Sequence, residues 1–109
     1  MKRIRFQDFQ ILDLRIGKVI DAERVERSRN LLKLKVDFGE EKMQAVAGLA
    51  QHYTPKELID NQYLFICNLE LKMMMGVQSE CMILAAEDSE GNIVLICPER
   101  EVEEGSRVR

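Results

Sequence analysis

A chain of 109 residues, 46% of them apolar, can bury one core but hardly two, so residues 1–109 are expected to form a single domain. No stretch approaches the ~18 consecutive apolar residues of a membrane span. The basic start, Met1-Lys-Arg-Ile-Arg-Phe-Gln7, has no apolar run behind it, so the expectation is a cytoplasmic protein with no membrane partner. The net charge of −3 argues at first sight against a polyanionic ligand, yet residues 1–36 hold ten Lys/Arg against five Asp/Glu, and residues 37–109 hold six against fourteen. That asymmetry suggests one basic face and one acidic face, although a solvated surface of mixed sign reads the same way.

From Leu14 to Val25 the apolar positions suit a long strand, with Gly17 interrupting the alternation where a bulge would. Glu26 to Asn30 form a polar loop. Leu32, Leu34, Val36 and Phe38 then alternate with Lys33, Lys35 and Asp37, which predicts a second strand with one apolar and one basic face. A tight turn over Gly39–Lys42 leads to a third strand, Met43–Gly48. Thr54-Pro-Lys-Glu57 has the pattern of a helix start, with a capping Thr, Pro at the first helical position and Glu three residues after the cap. Asp60-Asn61 ends this short helix, and the apolar run Tyr63–Leu69 predicts a central strand buried on both faces. A loop over Glu70–Gln78 precedes a fifth strand, Glu80–Ala86. Beyond the turn Ser89–Asn92 lie a short strand, Ile93–Cys97, and a Glu-rich tail whose last five residues suit a further strand edge. Five strands with a short helix between the third and fourth give the order of an all-β OB-fold, a partly open five-stranded Greek-key barrel, here with N- and C-terminal extensions.

Groups for catalysis are sparse. His52 is the only histidine, no phosphate-binding G-x-x-x-x-G-K or G-x-G-x-x-G is present, and the carboxylates are scattered through turns and the tail. Cys67, Cys81 and Cys97 are odd in number, lack C-x-x-C spacing and lie in apolar runs, so neither a disulfide nor a zinc site is expected. The chain reads as no enzyme, with no cofactor and no metal. Binding has better material: Lys33 and Lys35 on the polar face of strand two, beside Arg27, Ser28, Arg29 and Asn30 in the preceding loop, could reach phosphates from one side of a barrel. Charged residues flank the apolar face of a strand in any soluble protein, however. Aromatics for base stacking are few and mostly at core positions, so recognition would depend on backbone shape.

Three stretches carry a resemblance: Asn68–Ala86, with Gly76, Ser79 and Met82 at Gly-x-x-Ser-x-x-Met spacing; Leu31–Gly39; and Gly48-Leu-Ala-Gln-His-Tyr-Thr-Pro-Lys-Glu-Leu-Ile59. From about Phe9 to its end the chain resembles the tRNA-binding module that ends many methionyl-tRNA synthetases and also occurs as a free-standing, structure-specific tRNA-binding protein. The resemblance implies tRNA contacts at Arg27, Ser28, Arg29, Asn30, Asn68, Lys72, Gly76, Ser79 and Met82, with Lys33 and Lys35 between them. It also implies a homodimer built through the terminal segments, acting alone or in trans to methionyl-tRNA synthetase. Two departures stand out. Met73-Met74-Met75 replaces a Lys-Met-Arg-like stretch, and Ser79-Glu80-Cys81-Met82 replaces Ser-Gln-Gly-Met, which removes two cations and adds an anion. A related branch resembles export-associated chaperones that bind unfolded polypeptide, and the methionine run would suit that alternative.

Overall fold

The computed structural model describes residues 1–109. In chain order it contains α1 (Phe6–Ile11), β1 (Leu14–Arg24), β2 (Leu32–Asp37), β3 (Lys42–Ala47), α2 (Pro55–Leu58), β4 (Gln62–Ile66), β5 (Lys72–Met74), β6 (Val77–Ser79), β7 (Met82–Ile83), β8 (Ala85–Glu87) and β9 (Ile93–Leu95). Strand β1 organises the barrel because it serves two partners. Leu14–Lys18 pair antiparallel with β4, and Lys18–Arg24 pair antiparallel with β2. A five-stranded sheet in the order β3-β2-β1-β4-β7 results. A parallel bridge between Ala45 and Cys81 brings its two ends together, giving a nearly closed OB-like barrel.

The bend that lets β1 change partners is a bulge between Val19 and Asp21, two residues beyond the glycine that the apolar pattern suggested. Gly17 has another function. A Cβ there would lie 2.5 Å from Val36 Cγ1 and 2.6 Å from Phe38 Cε1, so the glycine lets β2 pack tightly over β1. At the bulge, the turn after α2 is sewn to β1: Asp60 N donates to Val19 O (2.7 Å) and Val19 N to Asn61 O (3.0 Å). Glu57 Oε1 accepts from Thr54 N (2.7 Å) at the start of α2, as the cap pattern predicts.

Alternation in β2 places Leu32, Leu34 and Val36 in the core with no exposed area, together with Val19, Ala45, Leu58 and Phe65. Phe38 and Phe65 meet edge to face at 5.3 Å. Strand β4 is less buried than its apolar run suggests. Phe65 and Cys67 face the core, whereas Tyr63, Leu64 and Ile66 are half-buried and Leu69 is exposed. The expected fifth strand is divided at Leu84: β7 stays in the barrel, and β8 leaves it to pair with β9. The C-terminal residues form the expected strand edge, with Gly105 N donating to Ile16 O (2.8 Å) and Val108 N to Leu14 O (2.8 Å). Helix α1, absent from the sequence reading, buries none of its residues.

Candidate nucleic-acid interface

The loop between β1 and β2 is held as a closed turn. Val25 N donates to Leu31 O (3.1 Å), and Ser28 Oγ accepts from Asn30 N (3.1 Å) and Leu31 N (3.2 Å). Arg27 and Arg29 therefore project from a fixed backbone into solvent, without carboxylate partners. Asn30 O accepts from Ala50 N (2.9 Å), which attaches the loop to the segment leaving β3.

Lys33 and Lys35 lie on the outward face of β2, and the register explains their environment. Each faces an acidic residue of β1: Glu23 opposite Lys33 and Asp21 opposite Lys35. Glu23 Oε1 lies 2.6 Å from Lys33 Nζ, so this lysine is neutralised within the sheet. Asp21 accepts instead from Ala22 N (3.0 Å), and Lys35 remains exposed and unpaired. On their other side Lys33 faces Val46 and Lys35 faces Gln44.

Residues 70–78, expected to be a loop, form a β5–β6 hairpin that pairs Lys72 with Ser79 and Met74 with Val77. Met75 (φ 51°) and Gly76 (φ 80°) make the two-residue turn, whose conformation glycine adopts easily and methionine does not. Met73 and Met75 are exposed, and Met74 turns inward. The hairpin covers the free edge of β3 through side chains. Ser79 Oγ accepts from Val46 N (3.0 Å) and donates to Cys81 O (3.0 Å), while Glu80 Oε1 accepts from Gln44 N (2.8 Å). Gln44 Nε2 donates to Gln78 O (2.8 Å). The anion that departs from the resemblance thus satisfies a backbone N–H of the barrel edge.

Between β3 and this hairpin lies a groove of about 340 Å³. Val46, Ala47, Gly48 and Leu49 form one wall, and Leu69, Met74, Met82 and Ile83 face them, with Lys72, Glu70, Ser79 and Glu80 completing the lining. Cys81 also lines it, and burial pushes its thiol up to about 12, so it stays neutral. Of the residues singled out from sequence, Lys72, Ser79 and Met82 line the groove. Arg27 to Asn30 lie outside the lining, with Asn30 bonded to Ala50, the residue after Leu49, and Lys33 lies cross-strand from Val46. Gly76 sits at the hairpin tip, outside the lining. Asn68 serves a different junction: its Oδ1 accepts from Asp13 N (2.8 Å) and its Nδ2 donates to Ile11 O (2.7 Å), tying α1 to the barrel. The wall from Val46 to Leu49 escaped the sequence reading because nothing local marks a strand end as half of a groove. No group of three or more His, Cys, Asp or Glu is arranged to hold a metal ion, and no helix is long and apolar enough to cross a membrane.

Fold and site together define a small OB-like barrel with a groove between β3 and the β5–β6 hairpin. A family model described as "Putative tRNA binding domain" matches residues 14–107. The methionine–tRNA ligase of Methanocaldococcus jannaschii is 44% identical over 109 residues, which are all of this chain and 17% of the ligase. That of Archaeoglobus fulgidus is 49% identical over 107 residues, 98% of this chain and 16% of the ligase. The chain thus spans about a sixth of these relatives. Among solved structures it is similar to the MetRS-related protein of Pyrococcus horikoshii, with a TM-score of 0.95, 36% identity and both chains covered in full. It is also similar to the chaperone CsaA of Bacillus anthracis, with a TM-score of 0.90, 33% identity, and 99% of this chain and 100% of that one covered. The chain belongs to the tRNA-binding domain family.

Proposed function

We propose that residues 1–109 act as one non-catalytic, cytoplasmic module that binds tRNA by its folded shape, free-standing or in trans to methionyl-tRNA synthetase. The observation that carries this reading is a tRNA-binding family barrel in which Lys72, Ser79 and Met82 line a groove and the Arg27–Asn30 loop is hydrogen-bonded to Ala50, the residue after the groove wall. Arg27, Arg29, Lys35 and Lys72 are the cations free to meet phosphates, with Lys33 available once Glu23 releases it. Four phosphate contacts correspond to a salt slope of about 2.8 to 3.6. Ser28, Asn30, Gly76 and Ser79 would then set the shape of the two loops, Asn68 would hold α1 against the barrel, and Met82 would offer an apolar contact. Titration of unfractionated tRNA at several salt concentrations tests this; no binding at low salt, or binding with no salt dependence, refutes it.

The module acts as a homodimer in the same reading. Phe6, Ile11, Val94, Ile96 and Val102 are exposed apolar residues on the segments before and after the barrel, and α1 has no buried face of its own. A monomer at micromolar concentration in solution would refute the dimer. A second reading is the capture of unfolded polypeptide, favoured by the exposed Leu71, Met73 and Met75 and by the likeness to a chaperone. Binding of an unfolded protein in preference to tRNA would decide for it.

A further inference from the structure

We infer that Cys67 and Cys81 form a dithiol redox site, which a small-molecule disulfide oxidises to one intramolecular disulfide that fastens the base of the β5–β6 hairpin to β4. The inference is independent of what the hairpin binds. Both cysteines are free and buried, in one core cluster with Phe65 and Ile83. Cys81 belongs to one of the two departures from the resemblance, and the binding reading gives its thiol no role.

Register brings the two together. Strands β4 and β7 pair antiparallel, Phe65 with Ile83 and Ile66 with Met82, and the same register continued by one residue sets Cys67 opposite Cys81. Side chains alternate along each strand, so Cys67 shares the core face of Phe65, and Cys81 that of Ile83. Hydrogen bonding fixes the kind of pair. Leu84 N donates to Leu64 O (3.0 Å), which makes 64 with 84 and 66 with 82 the bonded positions and leaves 67 with 81 unbonded. Cys67 N accordingly donates away from β7, to Asp13 O (2.8 Å), and Cys81 O accepts from Ser79 Oγ (3.0 Å). Cα atoms of an unbonded antiparallel pair lie about 4.5 Å apart, within the ~4.4–6.8 Å that a disulfide spans. In the reduced protein the Cys81 thiol faces Gln44 O at 3.9 Å, a weak contact that rotation about its Cα–Cβ bond exchanges for Cys67.

The chemistry is thiol–disulfide exchange. One cysteine thiolate attacks the small disulfide and expels a thiolate; the second then attacks the mixed disulfide at the protein sulfur and expels the other. The protein loses two protons and two electrons, and the small disulfide leaves as two thiols. Burial pushes Cys67 up to about 11 and Cys81 up to about 12, so exchange is slow and proceeds when the hairpin opens locally. The bond closes a loop of about 15 residues, a cross-link that stabilises the fold about a hundredfold when the native geometry accepts it. That loop carries the whole hairpin, Lys72–Ser79.

Cys97→Ser keeps the pair and removes the exposed third thiol. The variant is equilibrated with mixtures of oxidised and reduced glutathione at mildly alkaline pH, with and without urea. After acid quenching, the form lighter by two hydrogens is quantified by mass. The expected result is an equilibrium constant for the disulfide about a hundredfold higher in the folded than in the unfolded chain. The Gln44 and Val46 amides, which Glu80 and Ser79 cover, should also exchange with solvent more slowly in the oxidised form. A folded-state constant at or below the unfolded one overturns the inference, as does a protein that stops at the mixed disulfide with glutathione. Unchanged exchange of the two amides overturns the fastening of the hairpin. If Cys97→Ser fails to fold, peptide mapping of the oxidised unaltered protein decides: a link from Cys67 to Cys81 supports the site, and Cys97 joined to either overturns it.

Discussion

Ser79→Ala separates a residue that contacts the ligand from one that closes the barrel. The hydroxyl accepts from Val46 N at 3.0 Å and donates to Cys81 O at 3.0 Å, and Val46 is buried. Alanine leaves that N–H on the edge of β3 without an acceptor, a loss of about 1–3 kcal/mol for a buried donor. For a domain of this size each kcal/mol lowers the melting temperature by about 4–8 °C, so even the lower bound is measurable by circular dichroism. The fault is local, hence amide hydrogen exchange reports it more directly: Val46 should lose about tenfold in protection for each ~1.4 kcal/mol. Glu80→Gln is the control, since its amide oxygen can still accept from Gln44 N, and it should stay within ~0.5 kcal/mol of the unaltered protein. If Ser79→Ala keeps its melting temperature and the Val46 amide stays protected, the edge-closing role is wrong. A selective loss of tRNA affinity in that case would return Ser79 to the ligand.

Glu23→Gln frees Lys33 and should tighten tRNA binding by ~0.5 kcal/mol, the scale of an exposed ion pair; weaker binding in a salt titration would contradict the screening role of Glu23. Met75→Asn places a residue suited to positive φ before Gly76 and should stabilise the hairpin by ~0.5 kcal/mol in denaturant unfolding, whereas a lower midpoint would contradict the turn assignment. Gly105→Ala should destabilise by about 1–3 kcal/mol, because φ is +88° and the added Cβ collides with Phe38 O; an unchanged midpoint would mean that the tail does not seat there. A thiol reagent at neutral pH should label Cys97 quickly and Cys67 and Cys81 only on unfolding, since Cys97 is exposed and burial pushes the other two up to about 11 and about 12. Both values are raised in the folded state, so the stabilisation of the neutral thiols is complete below the unfolded value of about 8.5 and declines as pH rises past it. An unfolding midpoint that rises between pH 9 and 11, or rapid labelling of three thiols, would contradict this burial.

The elements legible in the sequence were those whose burial is periodic or whose ends carry their own chemistry. Strand β2 alternates without a break, and Pro55 and Glu57 mark α2. The hairpin was illegible for physical reasons: Met73 to Met75 give no alternation, and the turn places methionine where asparagine or glycine would announce it. Helix α1 buries none of its residues, so no apolar stripe betrays it. Candidate contact residues were found one by one, but their arrangement depended on register. Only the pairing of Glu23 with Lys33 shows that one of the two lysines of β2 is neutralised. The groove depends on contacts across more than thirty positions, Gln44 with Glu80 and Val46 with Ser79, which no local pattern encodes.

The register also bears on how a chain of net charge −3 can present a face to a polyanion. The acidic tail is not spread over the barrel. Glu101 and Glu104 gather around Lys18, at 4.0 and 3.4 Å, where β1 changes partners. From Lys18 the strand runs six residues to Arg24 and the loop bearing Arg27 and Arg29, which at ~3.3 Å per residue is about 20 Å. That distance exceeds two Debye lengths of ~8 Å at physiological ionic strength, so the tail carboxylates are largely screened from the groove. The acids that do oppose binding there are Glu23, Glu26, Glu70 and Glu80. Glu23 is held by Lys33, whereas the hydrogen bond from Gln44 N leaves the charge of Glu80 in place, so Glu70 and Glu80 both stand as anions in the lining that Lys72 shares. Local charge near the groove is thus set by Arg27, Arg29, Lys35 and Lys72 against Asp21, Glu26, Glu70 and Glu80, four against four, so a polyanion would be met by the arginines of the β1–β2 loop and by Lys35 rather than by the groove lining.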